Sequence, residues 1–101
     1  MRIERLSLPQ LQRRIHDIAE DAGRVVFTHH ARIRMRQRNI SRGLVLDVLR
    51  HGHLSRLPEP NARFGSLECR MEWYSAGRQI AVIAALCDDN PDVLVITVIA
   101  E

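Results

Sequence analysis

Residues 67–86 decide the fold, and they read L-E-C-R-M-E-W-Y-S-A-G-R-Q-I-A-V-I-A-A-L. Up to Tyr74, apolar residues alternate with polar ones, a pattern that predicts a strand with one buried and one polar face. Ala76-Gly77 can form a two-residue hairpin turn. The strand at residues 79–86 then pairs back on the first strand, with Gln79 opposite Tyr74. We therefore expect an antiparallel hairpin.

The two faces of this hairpin differ in character. Arg70 and Tyr74 lie on the polar face, in the middle of the expected sheet. Trp73 points to the buried face, opposite Ile80. The polar face is therefore the part of the sheet on which chemistry can take place.

The sheet extends beyond the hairpin on both sides. After a turn at residues 88–92, residues 93–100 are apolar on both faces, which predicts a central strand. Residues 24–27 are a short β-branched run that predicts a small strand. These segments together predict a mostly antiparallel sheet of about four strands.

The half of the chain before the hairpin has helical periodicity instead. Residue types that begin or end helices occur at Ser7, Gly23, Thr28, Asn39, Ser41 and Gly52. They predict three helices, at residues 7–23, 28–39 and 41–52, with Gly52 as a left-handed stop. Helices ahead of strands indicate an α+β domain with the helices on one face of the sheet. At this length, residues 1–101 form a single domain.

The cysteines and the apolar segments indicate the cellular compartment in which the protein is expected. Cys69 and Cys87 lie in apolar stretches and match no metal-ligand spacing, so we expect small core residues with free thiols. The first residues lack the apolar core of a signal peptide, and no apolar run is long enough to span a bilayer. These features indicate a cytoplasmic protein with no membrane partner.

The charge is distributed unevenly. Residues 1–56 hold 12 arginines against 5 acidic residues, a net +7, whereas residues 57–101 hold 3 against 7, a net −4. All 15 basic residues are arginine. This reflects either base-composition bias in the genome or the use of the planar guanidinium for phosphate, and composition alone does not separate the two.

The second expected helix concentrates the positive charge. At 100° per residue, His30, Arg34 and Arg38 form one stripe at the boundary between core and solvent, while Arg32 and Arg36 point to solvent. The helix itself has no acidic residue. The stripe therefore pairs with Glu68, Glu72 or the carbonyl groups that end the third helix, or it binds phosphate.

His30 lies in the first turn of this helix, where the partial positive charge favours a neutral imidazole. A neutral ring can accept a proton in catalysis, or it can simply hydrogen-bond a carbonyl at the junction between strand and helix. A zinc site formed by His29 and His30 with His51 and His53 is conceivable, because Gly52 would let the second pair fold close, but no carboxylate or cysteine spacing supports it. We expect neither a metal nor any other cofactor.

A family resemblance rests on these residues. His30-Ala31, Arg34-Met35, Arg38 and Ile40-Ser41, followed by an apolar helix and a strand-rich tail, resemble the bacterial family called domain of unknown function 4258 over roughly residues 25–100. More distantly, the order of elements resembles the ribonuclease toxins of the RelE superfamily, including the motility quorum-sensing regulator toxin. The latter is an mRNA interferase that a cognate antitoxin holds inactive.

The toxin resemblance implies a RelE-like fold and RNA cleavage without metal, in which the ribose 2′-OH attacks the adjacent phosphate. It implies RNA and an antitoxin as partners. In this scheme His30 is base or acid, Arg34 and Arg70 hold the phosphate, and Tyr74 stacks on a base or donates a proton. Residues that would contact nucleic acid around the site are Arg24, His29 and Arg38. The lysine that often serves such toxins is absent here.

Three interpretations remain open at this point. The protein is a metal-independent endoribonuclease, or it is a non-catalytic module that docks nucleic acid or an acidic protein, or its basic stripe is neutralised internally by Glu68 or Glu72. The sequence leaves both the monomer and the homodimer open.

Overall fold

The computed structural model describes residues 3–100, with every side chain in that range except those of Glu4, Val98 and Ala100. Its helices are α1 (Leu8–Ala19), α2 (His29–Arg38) and α3 (Arg42–His51). Its strands are β1 (Val25–Phe27), β2 (His53–Leu54), β3 (Glu59–Asn61), β4 (Ser66–Ser75), β5 (Arg78–Cys87) and β6 (Asn90–Ala100). Short 3₁₀ turns occupy Ile3–Arg5 and Ala22–Arg24. The domain is α+β with the helices first, as predicted.

The sheet has six strands in the order β1-β6-β5-β4-β2, with β3 also paired to β4. All pairs are antiparallel except β1 with β6. The prediction of about four strands was wrong, because β2 and β3 are two and three residues long and too short to show alternation. The central position predicted for β6 is confirmed, since it pairs with β1 on one side and β5 on the other.

The β4–β5 hairpin has the predicted register, with Tyr74 opposite Gln79 and Trp73 opposite Ile80. Ala76 and Gly77 both have positive φ, 53° and 77°, as a type I′ turn requires. Trp73, predicted to be buried, keeps 38% of its surface exposed. The ring of His51, at the end of α3, lies against it at 6.1 Å between centroids.

Side chains of Ser7, Thr28 and Ser41 cap the three helices by accepting hydrogen bonds from backbone N–H groups three residues ahead. Asn39 ends α2 in the left-handed conformation. The predicted end of the first helix was late: α1 stops at Ala19, and Gly23 belongs to a 3₁₀ turn whose N-cap, Asp21, accepts from the Gly23 N–H.

Gly52 follows α3 in an extended conformation, with φ −74° and ψ −178°, so the predicted left-handed stop was wrong. Glycine is needed there for space. A Cβ atom would lie 2.4 Å from the carbonyl oxygen of Val48 and 2.6 Å from that of Glu72. The helix end and strand β4 therefore touch through the backbone of Gly52.

Helices α1 and α3 pack on one face of the sheet. The largest fully buried side chains lie between them and the strands: Leu11, Ile15, Ile18, Leu49, Met71, Ile80, Leu86, Leu94, Ile96 and Ile99. Helix α2 packs along β6 and fully buries only Ala31. The opposite side of the sheet, which we call the open face, carries the alternate residues of each strand. Cys69 is buried in the core as predicted, whereas Cys87 is half-buried on the open face.

Candidate nucleic-acid interface

Helix α2 lies in a stretch free of negative charge, because no acidic residue occurs between Asp21 and Asp47. It carries four arginines, of which Arg34 is half-buried and the other three are exposed. Within residues 3–100, none of these four side chains makes a hydrogen bond or an ion pair. The helix therefore presents uncompensated positive charge.

Arg34 is the most constrained of the four. Its Nε is buried without a hydrogen-bond partner in the described part of the chain. The carboxylates that the sequence offered as partners are engaged elsewhere: Glu68 Oε2 accepts from Asn61 Nδ2 at 3.3 Å, and Glu72 Oε2 lies 3.6 Å from Arg70 Nε. Internal neutralisation of the stripe by Glu68 or Glu72 is thus not found among residues 3–100.

His29 and His30 occupy the first turn of α2, and both side chains are exposed. The junction with β1 is held by Thr28, whose hydroxyl accepts from the Ala31 N–H at 3.1 Å and donates to the Ile96 carbonyl at 2.9 Å. Neither imidazole has a hydrogen-bond partner within residues 3–100. His30 therefore does not lock this junction, and its ring is available to a ligand.

Two further arginines flank α2 but are engaged. The guanidinium of Arg42 lies 5.0 Å from the ring centroid of Phe27 and donates to the Ala22 carbonyl. Arg24, predicted to contact nucleic acid, donates to the Asp92 carbonyl and lies 3.4 Å from its carboxylate, which Arg14 also approaches at 2.6 Å. Asp92 thereby reduces the charge that Arg24 can offer.

The polar row of the open face runs along β4 through Glu68, Arg70, Glu72 and Tyr74. Glu72 Oε1 accepts from Gln79 Nε2 at 3.4 Å. The Ser55 hydroxyl, then Gln79 and Arg70, hold the pKa of Glu72 below its ordinary value of 4.5, against the opposing effect of burial. Glu72 is therefore ionised at neutral pH and orients Arg70.

Arg70 and Tyr74 remain open to solvent. The side chain of Arg70 is 31% accessible, and beyond its Nε contact its two terminal nitrogens have no partner among residues 3–100. Tyr74 is 64% exposed. Arg70 and Tyr74 lie four residues apart on the same face of β4. The planar guanidinium can hold a phosphate, and the exposed phenol can stack on a base.

His53 was not among the site residues predicted from the sequence. It lies directly opposite Glu72 in the β2–β4 register. Residues opposite one another in an antiparallel pair share a face, so His53 joins the polar row. The signal was hidden because β2 has only two residues, and its pairing could not be read from periodicity.

The structure does not bring the four predicted catalytic residues into one cluster. His30 and Arg34 lie on α2 beside β6, whereas Arg70 and Tyr74 lie on β4, and β5 runs between these two strands. Thr28 and Arg70 are three strand spacings apart, about 14 Å at roughly 4.8 Å per spacing. The residues form two patches rather than one site.

A groove on the open face lies between the start of α2 and strand β4. Its volume is about 420 Å³, and it extends from Thr28, the N-cap of α2, past Thr97 and Val95 to Glu68 on β4. Phe64, 67% exposed, stands at its side. A single-stranded ligand lying along this groove would reach both the start of α2 and the polar row.

Metal sites and membrane-spanning helices are both absent from the part of the chain that the structure describes. No group of three or more His, Cys, Asp or Glu side chains is placed to hold a metal ion within residues 3–100. In the same range, the helices lack the length and apolar character that crossing a bilayer requires.

Comparison with known proteins identifies a family. A family model described as "Domain of unknown function (DUF4258)" matches residues 27–100. The matched region includes α2, α3 and β2 to β6 and leaves out α1. No curated protein and no solved structure matched the chain.

Proposed function

The chain belongs to the DUF4258 family, and we propose that it is an endoribonuclease that holds RNA with α2 and cleaves it on the open face without a metal ion. The observation that carries this proposal is the uncompensated charge of α2. Four arginines project from ten residues with no carboxylate on them in the described part of the chain. A regularly spaced polyanion is the ligand that such a concentration of arginine binds most strongly.

Features of the open face favour RNA over duplex DNA. The exposed aromatic side chains Tyr74 and Phe64 can stack on unpaired bases at the two ends of the polar row. We therefore propose a single-stranded RNA substrate.

The reaction fits the side chains that are available. The ribose 2′-OH attacks the adjacent phosphate, and the phosphorane that forms is stabilised by cations. In the predicted scheme His30, Arg34, Arg70 and Tyr74 act together. The two-patch geometry favours a division in which Arg34, His29, His30 and Arg38 hold flanking phosphates, while Arg70 and Tyr74 meet the phosphate that is cleaved.

The layout supports a RelE-like assignment, which we also propose. Helices precede an antiparallel sheet and cover one face, leaving the polar face for chemistry, as in those toxins. By the same analogy, the partner would be an antitoxin that covers the open face, and the toxin would act in the cytoplasm. The half-buried free thiol of Cys87 on that face suits a reducing compartment.

Cleavage of a labelled single-stranded RNA in EDTA tests the proposal. We expect fragments that end in a 2′,3′-cyclic phosphate, and no cleavage where the 2′-OH is replaced by hydrogen. Arg38→Ala should weaken RNA binding and lower its salt dependence, by about 0.7 in the log–log slope for each phosphate that is no longer neutralised. Arg13→Ala is the matched control, because Arg13 is an exposed arginine on α1.

The separation of α2 from Arg70 favours a second candidate, a module that binds RNA or an acidic protein without cleaving it. It predicts the same dependence on salt and on Arg38. If a range of RNAs is bound tightly and none is cut, the binding module is correct and the nuclease assignment is not.

A further inference from the structure

We infer that His53 and Arg70 together hold the scissile phosphodiester, and that His53, rather than His30, takes the proton from the attacking 2′-OH. This inference rests on the proposed ribonuclease function. It moves the proton acceptor from His30 on α2 to the edge of the sheet where β2 pairs with β4.

The position of His53 carries the inference. Of the five histidines, it is the one on the polar row, opposite Glu72 and one row from Arg70. Its ring is exposed and makes no hydrogen bond within residues 3–100. His16, in contrast, donates through Nε2 to the Gly52 carbonyl at 2.7 Å, and His51 lies against Trp73. A free imidazole beside a guanidinium is suited to both proton transfer and phosphate binding.

Arg70 is positioned for an anion by its neighbours. Its Nε lies 3.6 Å from Glu72 Oε2, and its two terminal nitrogens make no hydrogen bond or ion pair within residues 3–100. Ser55 belongs to the same cluster, since its backbone N–H donates to the Arg70 carbonyl at 3.0 Å. Glu72 is thus a positioning residue that acts through Arg70.

Gly52 allows the backbone that leads into β2 to approach β4 closely. Because a Cβ at Gly52 would lie 2.6 Å from the Glu72 carbonyl oxygen, the backbone before β2 lies in direct contact with β4. The following residue, His53, is then paired with Glu72 through the backbone ladder. The backbone that carries the His53 ring is therefore fixed twice, by the close contact of Gly52 with β4 and by the pairing of His53 with Glu72.

The reaction step balances with the groups present. The 2′-OH proton passes to His53, the 2′-oxygen forms a bond to phosphorus, and the bond from phosphorus to the 5′-oxygen breaks. The leaving oxygen takes a proton from the Tyr74 hydroxyl, which regains it from solvent as His53 releases its own. The products are a 2′,3′-cyclic phosphate and a 5′-hydroxyl, with Arg70 balancing the charge on the phosphorane.

Two measurements on the intact protein test this assignment. The first follows the histidine ring resonances by NMR during titration with a short single-stranded RNA that carries 2′-O-methyl groups throughout and so cannot be cleaved. We expect the His53 resonance to move on binding, because a phosphate then lies beside the ring. Arg70→Ala should abolish that shift.

The second measurement is the rate of RNA cleavage. His53→Gln should lower kcat by about 100-fold or more, and His51→Gln, two residues away at the end of α3, is the control that should leave it unchanged. His30→Gln should raise KM and spare kcat. Glu72→Gln should lower kcat with little change in KM and should leave the far-ultraviolet circular dichroism of the fold intact.

The outcomes separate the inference from the function on which it rests. If the wild-type protein cleaves RNA and His30→Gln, not His53→Gln, abolishes kcat, the nuclease stands and the inference is wrong. If the RNA moves only the His29 and His30 resonances, the inference is wrong whether or not cleavage occurs. If the His53 resonance moves and no RNA is cut, the catalytic role of His53 and the nuclease both fail.

Discussion

Arg78, the first residue of β5, donates a hydrogen bond to the carbonyl oxygen of Asn39, the left-handed residue that ends α2, over 2.8 Å. A second bond runs from Arg78 to the Arg38 carbonyl at 2.6 Å. The guanidinium thereby donates hydrogen bonds to carbonyl groups that lack a partner within the helix. Its positive charge also interacts favourably with the negative end of the helix dipole. The hairpin and the basic helix are tied together at this point.

Arg78→Ala should therefore lower the free energy of unfolding by about 1–2 kcal/mol, since it removes two charge-assisted hydrogen bonds. Urea unfolding followed by circular dichroism measures the change. Arg13→Ala removes the same charge from an exposed position on α1 and should have little effect. Equal stability of the Arg78 and Arg13 variants would show that the hydrogen bonds from Arg78 to the end of α2 do not stabilise the fold.

Arg34→Met should separate stability from binding. Methionine keeps the apolar stem and removes the buried Nε, which has no partner within residues 3–100. The variant should be as stable as the wild type or more stable by about 1 kcal/mol, while its affinity for RNA falls. Thermal unfolding and fluorescence anisotropy on the same samples measure both properties. A loss of stability would instead show that Arg34 serves the fold.

Gly52→Ala should be destabilising by about 1–3 kcal/mol, the usual cost of overpacking. The reason is steric, because φ at Gly52 suits alanine while the added Cβ would meet two carbonyl oxygens at 2.4 and 2.6 Å. Gly43→Ala is the contrasting control, since its Cβ would meet only the Ser41 hydroxyl at 3.8 Å. That change should stabilise α3 slightly. Chemical denaturation of the two variants compares them directly.

The two cysteines should react with thiol reagents at very different rates. Burial, and to a lesser degree the charge of Glu68, raises the pKa of the Cys69 thiol from 9.0 to about 12, which keeps it protonated and unreactive. Cys87 is half-buried in the groove of the open face. Native protein should therefore take up one equivalent of a maleimide, and Cys87→Ser should take up none until it is unfolded. Rapid labelling of both thiols in the native protein would refute this assignment.

Glu72 should make stability depend on pH. Its pKa is lowered in the folded state, so the ionised carboxylate stabilises the fold above pH 4.5. This contribution is lost as the pH falls through the folded-state pKa. The wild type should be more stable than Glu72→Gln at pH 7, and the difference should shrink below pH 4.5. Melting temperatures from acidic to neutral pH measure it, and a difference that does not vary with pH would argue against the ionised state.

Local features of the fold could be predicted because they depend on residues close in sequence. The hydroxyl caps at Thr28 and Ser41 act within three residues, and the positive φ of Ala76 and Gly77 fixes the register of the hairpin they join. The left-handed conformation predicted for Gly52 was wrong because the need for glycine there is not local. Glycine is required because the backbone passes close to Glu72, twenty residues later in the chain, and not because of a left-handed turn.

The candidate site was predicted only in part for the same reason. Arg70 and Tyr74 were found because they alternate along a long strand. His53 was not, because its place on the polar row depends on pairing between β2 and a strand that comes later in the chain. The parallel pairing of β1 with β6 is more distant still, since Val25 lies beside Leu94. No local pattern encodes such a partner.

This late pairing has a consequence during synthesis on the ribosome. Strand β6 follows every other described strand, yet it lies between β1 and β5 and pairs with both. A nascent chain that has not yet released residues 90–100 has a β1 without a partner and an uncovered edge on β5. The sheet therefore closes only when translation has passed β6, and a stalled or truncated chain is left aggregation-prone, with its open face incomplete.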